Sequence, residues 1–589
     1  VKTLKTELTK LQTDLSQNSD ISLVQIGRDI YYSLLKKIAT KLNETITHKY
    51  SPHTEYSKQL PSPTKLLSVF TATSTAFDEI YHCLLTDTSH LKSQGQFFTP
   101  PNVANFIASL PSIEPTDKIL DPACGPGAFL DSLQSYTTNQ TITGIDKDPL
   151  VIYAAKIRAQ LGKYTTETQF DTANFLSVDS TQKYDVIIGN PPYNKFQNTD
   201  ADQNWFNITN EYNISKLSNL YAFFYLKSAE LVNKNGYIVF LTPIEYLQAK
   251  YGNTLKKLFA DKFNIERFIK LNWQPFDAVT TLCITVLQKT QHSTNTPVKF
   301  HTAENPKQLQ TVLDSSDTEI QQSELDPTEK WTKYLQNIKY STYLQDTVPL
   351  QTFATTKRGI TTGYNDYFTF TEEELQNQNI ESTYIKPALT KTTYAPNYTF
   401  TETDFKKLSE DTPKYLLYYQ GEQLSDALES YITYGEEIGA HERYITSHRT
   451  PWYSMETRKP PPILATVFSR NNMRFIQNSK RVLPLSAFHG VYPKNTNQKW
   501  TQALLAYLNS DIALELAKTE YREYGDGLQK LEPGDLLKLP MLDLNQLSTE
   551  QITQLSTLFN KLDTADRNNI PNEKSIRSQL NEYILNLLR

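Results

Sequence analysis

The chain has 589 residues, a formal net charge of −5 and a hydrophobic fraction of 38%. This length predicts two or three domains, and the negative charge excludes a general attraction to nucleic acid, so a DNA-binding surface needs local clusters of Lys and Arg. No segment approaches the roughly 18 consecutive apolar residues of a membrane-spanning helix, and no membrane association is expected.

The N-terminal residues and the cysteines indicate a reduced setting inside the cell. The opening stretch VKTLKTELTKLQTDL has no apolar signal-peptide core. The three cysteines, Cys83, Cys124 and Cys283, lie far apart and show no paired metal-ligand spacing. The sequence therefore predicts a cytoplasmic protein without a structural metal.

The predicted elements change character along the chain. Residues 1–92 hold helix-like stretches interrupted by proline-containing loops, which predicts a helical N-terminal extension. Over residues 93–295, short runs that are apolar throughout alternate with helical segments, as in a doubly wound α/β sheet. The strand candidates are 118–120, 142–145, 186–188 and 237–241.

The second half of the chain follows a polar, Gln/Ser/Thr-rich junction near residues 291–325. Residues 325–545 are Tyr-rich and of mixed pattern, which predicts an α+β domain. Residues 546–589 carry leucines at helical spacing on either side of Pro571 and predict two C-terminal helices.

Residues 119–130, ILDPACGPGAFL, predict a strand, a glycine-containing turn and the start of a helix. Gly125 and Gly127 allow the backbone to bend sharply and to approach a ligand closely. Leu130 replaces the third glycine of the dinucleotide fingerprint, which serves a pyrophosphate at a helix N-terminus. A cofactor without pyrophosphate removes the need for that glycine.

Two later positions extend this cofactor pattern. Asp146 ends the next apolar run, where an acidic side chain can accept hydrogen bonds from two ribose hydroxyls; a helix N-cap is the alternative interpretation. Asn174 and Phe175 offer an amide acceptor and an apolar face for an adenine ring. Together these residues predict a nucleoside cofactor that has ribose and adenine but no phosphates.

Residues 189–193, GNPPY, follow the apolar run that ends at Ile188. A carboxamide beside two prolines and an aromatic ring offers rigid hydrogen-bond acceptors next to a stacking surface, which suits an exocyclic amine on a planar base. The alternative is a proline-rich turn that closes a buried strand.

With these motifs in this order, the chain resembles the S-adenosylmethionine-dependent DNA adenine-N6 methyltransferases whose recognition domain follows the catalytic domain. Residues 95–100, GQFFTP, resemble the motif that holds the methionine end of the cofactor, and residues 190–193 resemble the catalytic motif. The resemblance covers about residues 93–290. It implies a Rossmann-like methyltransferase sheet in 93–295 and a target recognition domain in 325–545.

The resemblance also implies a cofactor-binding set. Asn174 stands where Asp is usual, and its side-chain oxygen can accept from the adenine amine without a charge. Lys147 stands where an apolar residue is more common, and its aliphatic stem can cover the adenine face. The full set is Phe98, Thr99, Pro100, Asp121, Ala123, Gly125, Gly127, Asp146, Lys147, Asn174, Phe175 and Asn190.

The predicted catalytic residues are Asn190, Pro191, Pro192, Tyr193 and Phe276. The Asn190 side-chain oxygen and the Pro191 carbonyl would each accept one hydrogen of the adenine amine. The base must leave the duplex to reach them. Tyr193 would stack on one face of the base and, by resemblance, Phe276 on the other; an ordinary core role for Phe276 is the alternative.

Residues 440–481 concentrate basic and aromatic side chains and are predicted to contact double-stranded DNA, with a solvated basic face as the alternative. The candidate contacts are Arg443, Arg449, Arg458, Lys459, Arg470, Asn471 and Arg474.

We therefore expect a site-specific DNA adenine methyltransferase, either solitary or paired with a cognate restriction endonuclease. A fused restriction–modification enzyme is one alternative, although residues 1–94 contain no Asp/Glu-x-Lys signature. An RNA or protein methyltransferase and a non-catalytic DNA-binding module are others. Cytosine N4 also fits the acceptor geometry.

Overall fold

A computed structural model divides the chain into two compact units, Val1–Leu335 and Gln336–Arg589. The four ranges predicted from the sequence are a finer division and stay predictions. The structure describes every residue except 18–20, 43–45, 74, 86–96, 137–138, 165, 196–210, 216–217, 277–279, 291–295, 337, 422, 470–472, 524–527, 569–572 and 589.

The first unit is built on a nine-stranded sheet in the order β3-β2-β1-β4-β5-β7-β6-β8-β9. Strands β1 to β5 run parallel to one another, and β7 lies antiparallel between β5 and β6. The strands are β1 Lys118–Asp121, β2 Thr141–Asp146, β3 Glu167–Thr172, β4 Tyr184–Gly189, β5 Val232–Pro243, β6 Phe263–Leu271, β7 Leu282–Lys289, β8 Pro297–Ala303 and β9 Thr318–Gln321. The predicted α/β methyltransferase fold is confirmed.

Helices cover this sheet and precede it. They are α1 Lys2–Ser16, α2 Leu23–Lys41, α3 Pro63–Ala72, α4 Ala76–Leu84, α5 Pro101–Ala108, α6 Ala128–Leu133, α7 Pro149–Gly162, α8 Leu220–Leu231 and α9 Gly252–Lys262. One apolar core contains residues of α8 and α9, and another contains residues of α5 and α6. Because both faces are packed, the central strands are apolar on both sides.

The strand order reverses between β1 and β4, which are neighbours in the sheet although β2 and β3 separate them in sequence. In open α/β sheets this reversal opens a crevice at the carboxyl ends of the strands, where ligands bind. Asp121, Asp146 and Gly189 are the last residues of β1, β2 and β4. Residues that follow these strands therefore meet at one edge of the sheet.

The N-terminal helices share a core with the sheet helix α7. Leu150, Tyr153 and Ile157 of α7 belong to the same buried cluster as the apolar residues of α1 to α4. Arg28 of α2 also forms two 2.8 Å hydrogen bonds with Asp148, the N-cap residue of α7. These contacts make residues 1–85 part of the first unit.

The second unit is mixed α+β. A five-stranded sheet has the order β11-β20-β16-β18-β14, and a four-stranded sheet has the order β12-β15-β13-β19. Its strands are β10 Val348–Pro349, β11 Ala354–Arg358, β12 Thr369–Phe370, β13 Ile385–Leu389, β14 Thr399–Phe400, β15 Tyr415–Leu417, β16 Ile463–Thr466, β17 Phe468–Ser469, β18 Phe475–Asn478, β19 Leu483–Pro484, β20 Phe488–Pro493, β21 Arg522–Glu523, β22 Gln529–Lys530 and β23 Pro540–Met541.

The helices of this unit complete its largest core. They are α10 Asn365–Phe368, α11 Glu372–Gln378, α12 Glu402–Lys406, α13 Asp426–Glu437, α14 Gln498–Leu508, α15 Asp511–Leu516, α16 Pro533–Leu536, α17 Thr549–Arg567 and α18 Glu573–Leu588. Leu555 and Leu562 of α17 and Leu580 of α18 are buried in the same cluster as Leu504 of α14. The C-terminal helices therefore belong to the core of the second unit.

Candidate active site

A cavity of about 340 Å³ lies in the first unit at the carboxyl ends of β1, β2 and β4. Ten predicted site residues line it: Phe98, Thr99, Ala123, Gly125, Asp146, Lys147, Asn174, Phe175, Asn190 and Pro192. Pro100, Asp121, Gly127, Pro191, Tyr193 and Phe276 are not among the lining residues, but each adjoins or contacts one of them. The predicted residues are thus brought together at one cavity.

The turn after β1 has the backbone geometry that its glycines allow. Gly125 and Gly127 have φ angles of +51° and +100°, in the left-handed region that other residues rarely adopt. The ring of Phe98 lies 3.5 Å from the position that a Cβ atom on Gly125 would occupy. The turn therefore approaches the 97–100 segment closely and forms one wall of the cavity.

Asp146 connects the end of β2 to this turn. Its Oδ2 accepts a 3.1 Å hydrogen bond from the Gly125 N–H, and its Oδ1 accepts a 2.9 Å bond from the Asp148 N–H. Each oxygen keeps a further lone pair for a ligand hydroxyl. Burial raises the pKa of the Asp146 carboxyl to about 6.

Asp121 lies beneath the turn and is fully buried. Its Oδ1 accepts a 3.2 Å hydrogen bond from the Ala123 N–H, while its Oδ2 has no hydrogen-bond partner within the described part of the chain. Burial raises the pKa of this carboxyl to about 8. The hydrogen bond from Ala123 to Asp121 helps to hold the turn after β1 in place.

Asn174 and Phe175 line one part of the cavity, where an amide lies beside an aromatic ring. The Asn174 Oδ1 accepts a 3.2 Å hydrogen bond from the Leu176 N–H and caps the short 3-10 helix Phe175–Ser177. The Phe175 ring packs 4.9 Å from the ring of Phe224, which also lines the cavity. A flat apolar surface beside an amide suits a planar heterocycle.

The carboxamide of Asn190 has a fixed orientation. Its Nδ2 donates to the carbonyl of Phe97 at 3.2 Å and to the hydroxyl of Thr99 at 3.1 Å. The side-chain oxygen, Oδ1, is thereby turned away from the 97–99 segment and accepts a 2.6 Å hydrogen bond from the Tyr193 hydroxyl. Asn190 thus presents an oriented acceptor, as amine binding requires.

Three aromatic rings adjoin this carboxamide. Phe97 stacks on Phe276 with centroids 5.3 Å apart and an interplanar angle of 18°, and it lies 5.2 Å from Tyr193. Tyr193 and Phe276 are 6.3 Å apart, close to the roughly 7 Å that a base held between two rings needs. Phe276 is only partly buried and packs against the sheet core as well as against these rings.

Several residues that line the cavity were not predicted from the sequence. Phe97 lies inside the 95–100 motif next to Phe98, so its place in the cavity could have been predicted from the sequence. Asp78 and Val151 come from helices whose packing against the cavity has no local signal. The remaining lining residues outside the prediction are Pro122, Cys124, Pro126, Ala128, Phe129, Ala173, Leu176, Asn194, Leu220 and Phe224.

The predicted DNA contacts in the second unit fall into two groups. Arg443 and Lys459 are exposed, and the Arg443 guanidinium lies 3.4 Å from the ring centroid of Tyr364. In contrast, Arg449, Arg458 and Arg474 are partly buried and bond to their own chain, at the carbonyls of Thr361, Thr362, Pro396 and Thr392 and the carboxylate of Glu456. Arg470 and Asn471, like Gly95 and Gln96 of the 95–100 motif, lie outside the described residues.

The described residues contain neither a candidate membrane-spanning helix nor a candidate cluster of metal ligands. None of the described helices is both long and apolar enough to cross a membrane. Within the same residues, no group of three or more His, Cys, Asp or Glu side chains is placed to hold a metal ion.

The chain matches two family models that together span most of its length. Residues 72–348 match the N-6 DNA methylase family, and residues 328–584 match the C-terminal domain of the type II methyltransferase M.Eco57I.

Curated relatives and a solved structure resemble the chain over a similar extent. The type II methyltransferase M.AccI of Acinetobacter calcoaceticus is 30% identical over 496 residues, which cover 80% of this chain and 89% of the relative. M.XamI of Xanthomonas campestris pv. amaranthicola is 22% identical over 76% of this chain and 85% of its own length. A nuclease-deletion mutant of the type ISP enzyme LlaGI, in complex with a DNA substrate mimic, shares the fold with a TM-score of 0.52, at 13% identity over 92% of this chain and 63% of its own.

The cavity fits the cofactor of this family. It has the size of a small-molecule site, with acidic acceptors beside the glycine turn and a flat apolar surface at Phe175. The similarity to M.AccI extends over both units and is sufficient to assign the family. The chain therefore belongs to the type II N6 DNA methyltransferases of restriction–modification systems, and it is a site-specific DNA methyltransferase that uses S-adenosylmethionine.

Proposed function

We propose that the enzyme methylates N6 of adenine in double-stranded DNA, with Asn190, Pro191, Pro192, Tyr193 and Phe276 as the catalytic set. The observation that carries this proposal is the oriented Asn190 carboxamide, whose nitrogen donates to Phe97 and Thr99 and whose oxygen accepts a hydrogen bond from Tyr193. The proposed cofactor-binding residues are those predicted from the sequence.

These residues would promote the reaction by positioning the adenine amine and its lone pair. Bound S-adenosylmethionine supplies an electrophilic methyl group. The lone pair of an adenine amine is delocalised into the ring, so the amine is a poor nucleophile. When Asn190 Oδ1 and the Pro191 carbonyl each accept one amine hydrogen, the nitrogen becomes more tetrahedral and its lone pair is freed. Preorganised acceptors of this kind need no strong base, and Pro191 fixes the backbone φ that aims its carbonyl.

The base must be flipped out of the duplex to reach Asn190. The Tyr193 hydroxyl then has to give up its bond to Asn190 Oδ1 or share that oxygen with the amine. Tyr193 and Phe276 would stack on the two faces of the base, and stacking contributes about 1–3 kcal/mol per base. This offsets much of the cost of unstacking.

We further propose that residues 93–295 carry the reaction and that residues 325–545 read the target sequence, as the matches to the two family models support. The cognate partner would be a restriction endonuclease that recognises the same sequence. Residues 1–92 would brace the cofactor site, in line with their shared core with α7.

The test is incubation with tritiated S-adenosylmethionine and unmethylated duplex DNA, followed by nucleoside analysis. Label in N6-methyl-2′-deoxyadenosine is the expected result. Label in N4-methyl-2′-deoxycytidine would contradict adenine specificity and retain the mechanism. An absence of label in the DNA, with cofactor binding retained, would overturn the DNA substrate. Protein carrying Asn190→Ala is the control for background transfer.

The Tyr193 hydroxyl is expected to be dispensable and its ring essential. Tyr193→Phe keeps the stacking surface and frees Asn190 Oδ1, so kcat should stay within about threefold of wild type. Tyr193→Ala removes the ring and should raise the KM for DNA by about tenfold, because it loses a stacking contact. Steady-state kinetics on both variants checks this, and equal losses in the two would assign the role to the hydroxyl.

Cofactor affinity should fall in acid because Asp146 has a pKa of about 6. The ionised carboxylate accepts hydrogen bonds from ribose hydroxyls, so affinity is nearly complete about one unit above the pKa, at pH 7, and is lost as the pH falls through about 6. One unit below the pKa, at pH 5, the affinity should be about tenfold lower than at pH 7. Calorimetric titrations measure this; Asp146→Asn should bind more weakly and without this pH step, and an unchanged step would exclude Asp146 as its source.

Arg443 is the strongest candidate for a phosphate contact because it is exposed. Arg443→Ala should weaken DNA binding several-fold for all sequences and reduce the slope of log affinity against log salt by about 0.9. Fluorescence anisotropy at several salt concentrations measures both quantities. The control is Lys561→Ala, which removes an exposed charge from α17, outside residues 440–481. An equal effect of this variant on affinity and salt dependence would contradict a specific role for Arg443.

A further inference from the structure

Asp78 is a carboxylate from the N-terminal helices that reaches the cofactor cavity. It lies in the first turn of α4, lines the cavity and is only 9% exposed. Its Oδ2 accepts a 3.0 Å hydrogen bond from Nη1 of Arg158, but its Oδ1 is buried and has no hydrogen-bond partner among the residues that the structure describes. A buried polar atom without a partner is costly, so a ligand group that donates to Oδ1 would be stabilised there.

The charges around Asp78 favour a cation as that ligand group. Arg158 pairs with two carboxylates, because its Nε and Nη2 also lie 2.7 Å and 2.5 Å from Oδ2 of Asp131. The single guanidinium of Arg158 therefore pairs with two carboxylates, and two of its three nitrogens contact Asp131. Burial raises the pKa of the Asp78 carboxyl above its usual range. The trio has an excess negative charge, which a bound cation would balance.

Asp78 lies beside the glycine turn and near the segment expected to hold the amino-acid end of the cofactor. Arg158 Nη1 also donates to the carbonyl of Pro126 at 3.3 Å, which places the Asp78–Arg158 pair against the glycine turn. Tyr81, one helical turn after Asp78, packs edge-on against Phe98 at 5.5 Å. Phe98 belongs to the segment expected to hold the methionine end, so Asp78 is next to that end.

We propose that Asp78 binds the α-ammonium group of S-adenosylmethionine, with Arg158 as the positioning residue that holds the carboxylate towards the cavity. This inference rests on the proposed cofactor site. It gives the N-terminal helices a direct part in cofactor recognition, since α4 supplies a ligand-binding side chain to a site otherwise built from the strand-end turns, the 97–99 segment and the helices that pack on the sheet.

Three ligands separate the possible cationic groups in calorimetric binding experiments. S-adenosylmethionine has both the ammonium and the sulfonium, S-adenosylhomocysteine has the ammonium only, and 5′-methylthioadenosine has neither. Asp78→Asn should weaken binding of the first two ligands equally, by about tenfold to a hundredfold, as expected for a lost charge-assisted hydrogen bond. The affinity for 5′-methylthioadenosine should stay within about twofold.

The controls distinguish recognition from damage to the fold. Glu79→Gln makes the same charge change one residue along α4, where Glu79 pairs with Lys5 and does not line the cavity, and should leave all three affinities unchanged. Asp78→Ser, which suits the first turn of a helix, gives the same readout if Asp78→Asn does not fold.

Each other outcome overturns the proposal in a recognisable way. Equal losses for all three ligands would make Asp78 a structural residue. A loss confined to S-adenosylmethionine would assign it to the sulfonium, and no loss would remove it from the site while leaving the site intact. Wild-type protein that binds none of the ligands would overturn the proposed cofactor site and this assignment with it.

Discussion

Asn190→Ala is expected to reduce turnover by about a hundredfold to a thousandfold, the usual loss when one preorganised hydrogen-bonding group is removed from a reacting centre. The variant loses the acceptor Oδ1 and the two bonds by which Nδ2 holds the 97–99 segment. Cofactor affinity should change little, because the acceptors at Asp146 and the apolar surface at Phe175 remain. Single-turnover rates and calorimetric titrations measure the two quantities separately.

The matched control for this variant is Asn102→Ala. Asn102 is an exposed amide in α5 and does not line the cavity, so its removal should leave the single-turnover rate unchanged. Turnover of Asn190→Ala within threefold of wild type would contradict the catalytic role. A parallel collapse of cofactor affinity would instead assign Asn190 mainly to cofactor binding.

Arg158→Met is expected to give a large loss of stability. The Arg158 side chain is 5% exposed and pairs with both Asp78 and Asp131, whose carboxylates would remain buried without their cation. Removing one partner of such a pair costs about 3–5 kcal/mol. The free energy of unfolding of the first unit, from denaturant titrations followed by a probe in that unit, should fall by this amount.

Lys156→Met provides the comparison on the same helix. Lys156 lies two residues earlier in α7, and its ammonium bonds to Thr47 in an exposed position. Surface changes of this kind usually alter stability by less than about 0.5 kcal/mol. Equal losses in the two variants would show that the buried ion pairs contribute no more than an exposed contact does.

The sequence predicted the parts of the site that depend on local order along the chain. Gly125, Asp146 and Asn190 each follow an apolar run, and parallel strands bring their carboxyl ends to one edge. The four strand candidates correspond to β1, β2, β4 and β5. Strand β3, whose residues alternate between exposed and partly buried, has no continuous apolar run and was not predicted.

The hydrogen bonds that individual side chains form could not be predicted as well from the sequence. The Asn174 side chain was predicted to accept from an adenine amine, and the structure shows the additional bond by which it caps Phe175–Ser177. Likewise, Arg449 and Arg474 look like free cations in a basic segment, yet both donate to main-chain carbonyls more than 75 residues away in sequence. The sequence shows that these side chains are charged, but only the packing of the fold decides whether they face solvent.

By itself, the sequence determined the reaction class, the cofactor and the positions along the chain of four strands of the catalytic sheet. It did so because glycine turns, strand-end carboxylates and the Asn-Pro-Pro-Tyr segment are short-range patterns with direct chemical consequences. The tertiary structure alone decided that α4 delivers Asp78 to the cavity, that Phe97 stacks on Phe276 and that Arg158 joins two carboxylates. These contacts join residues between 27 and 179 positions apart, and which side chains meet there depends on how whole helices and strands pack.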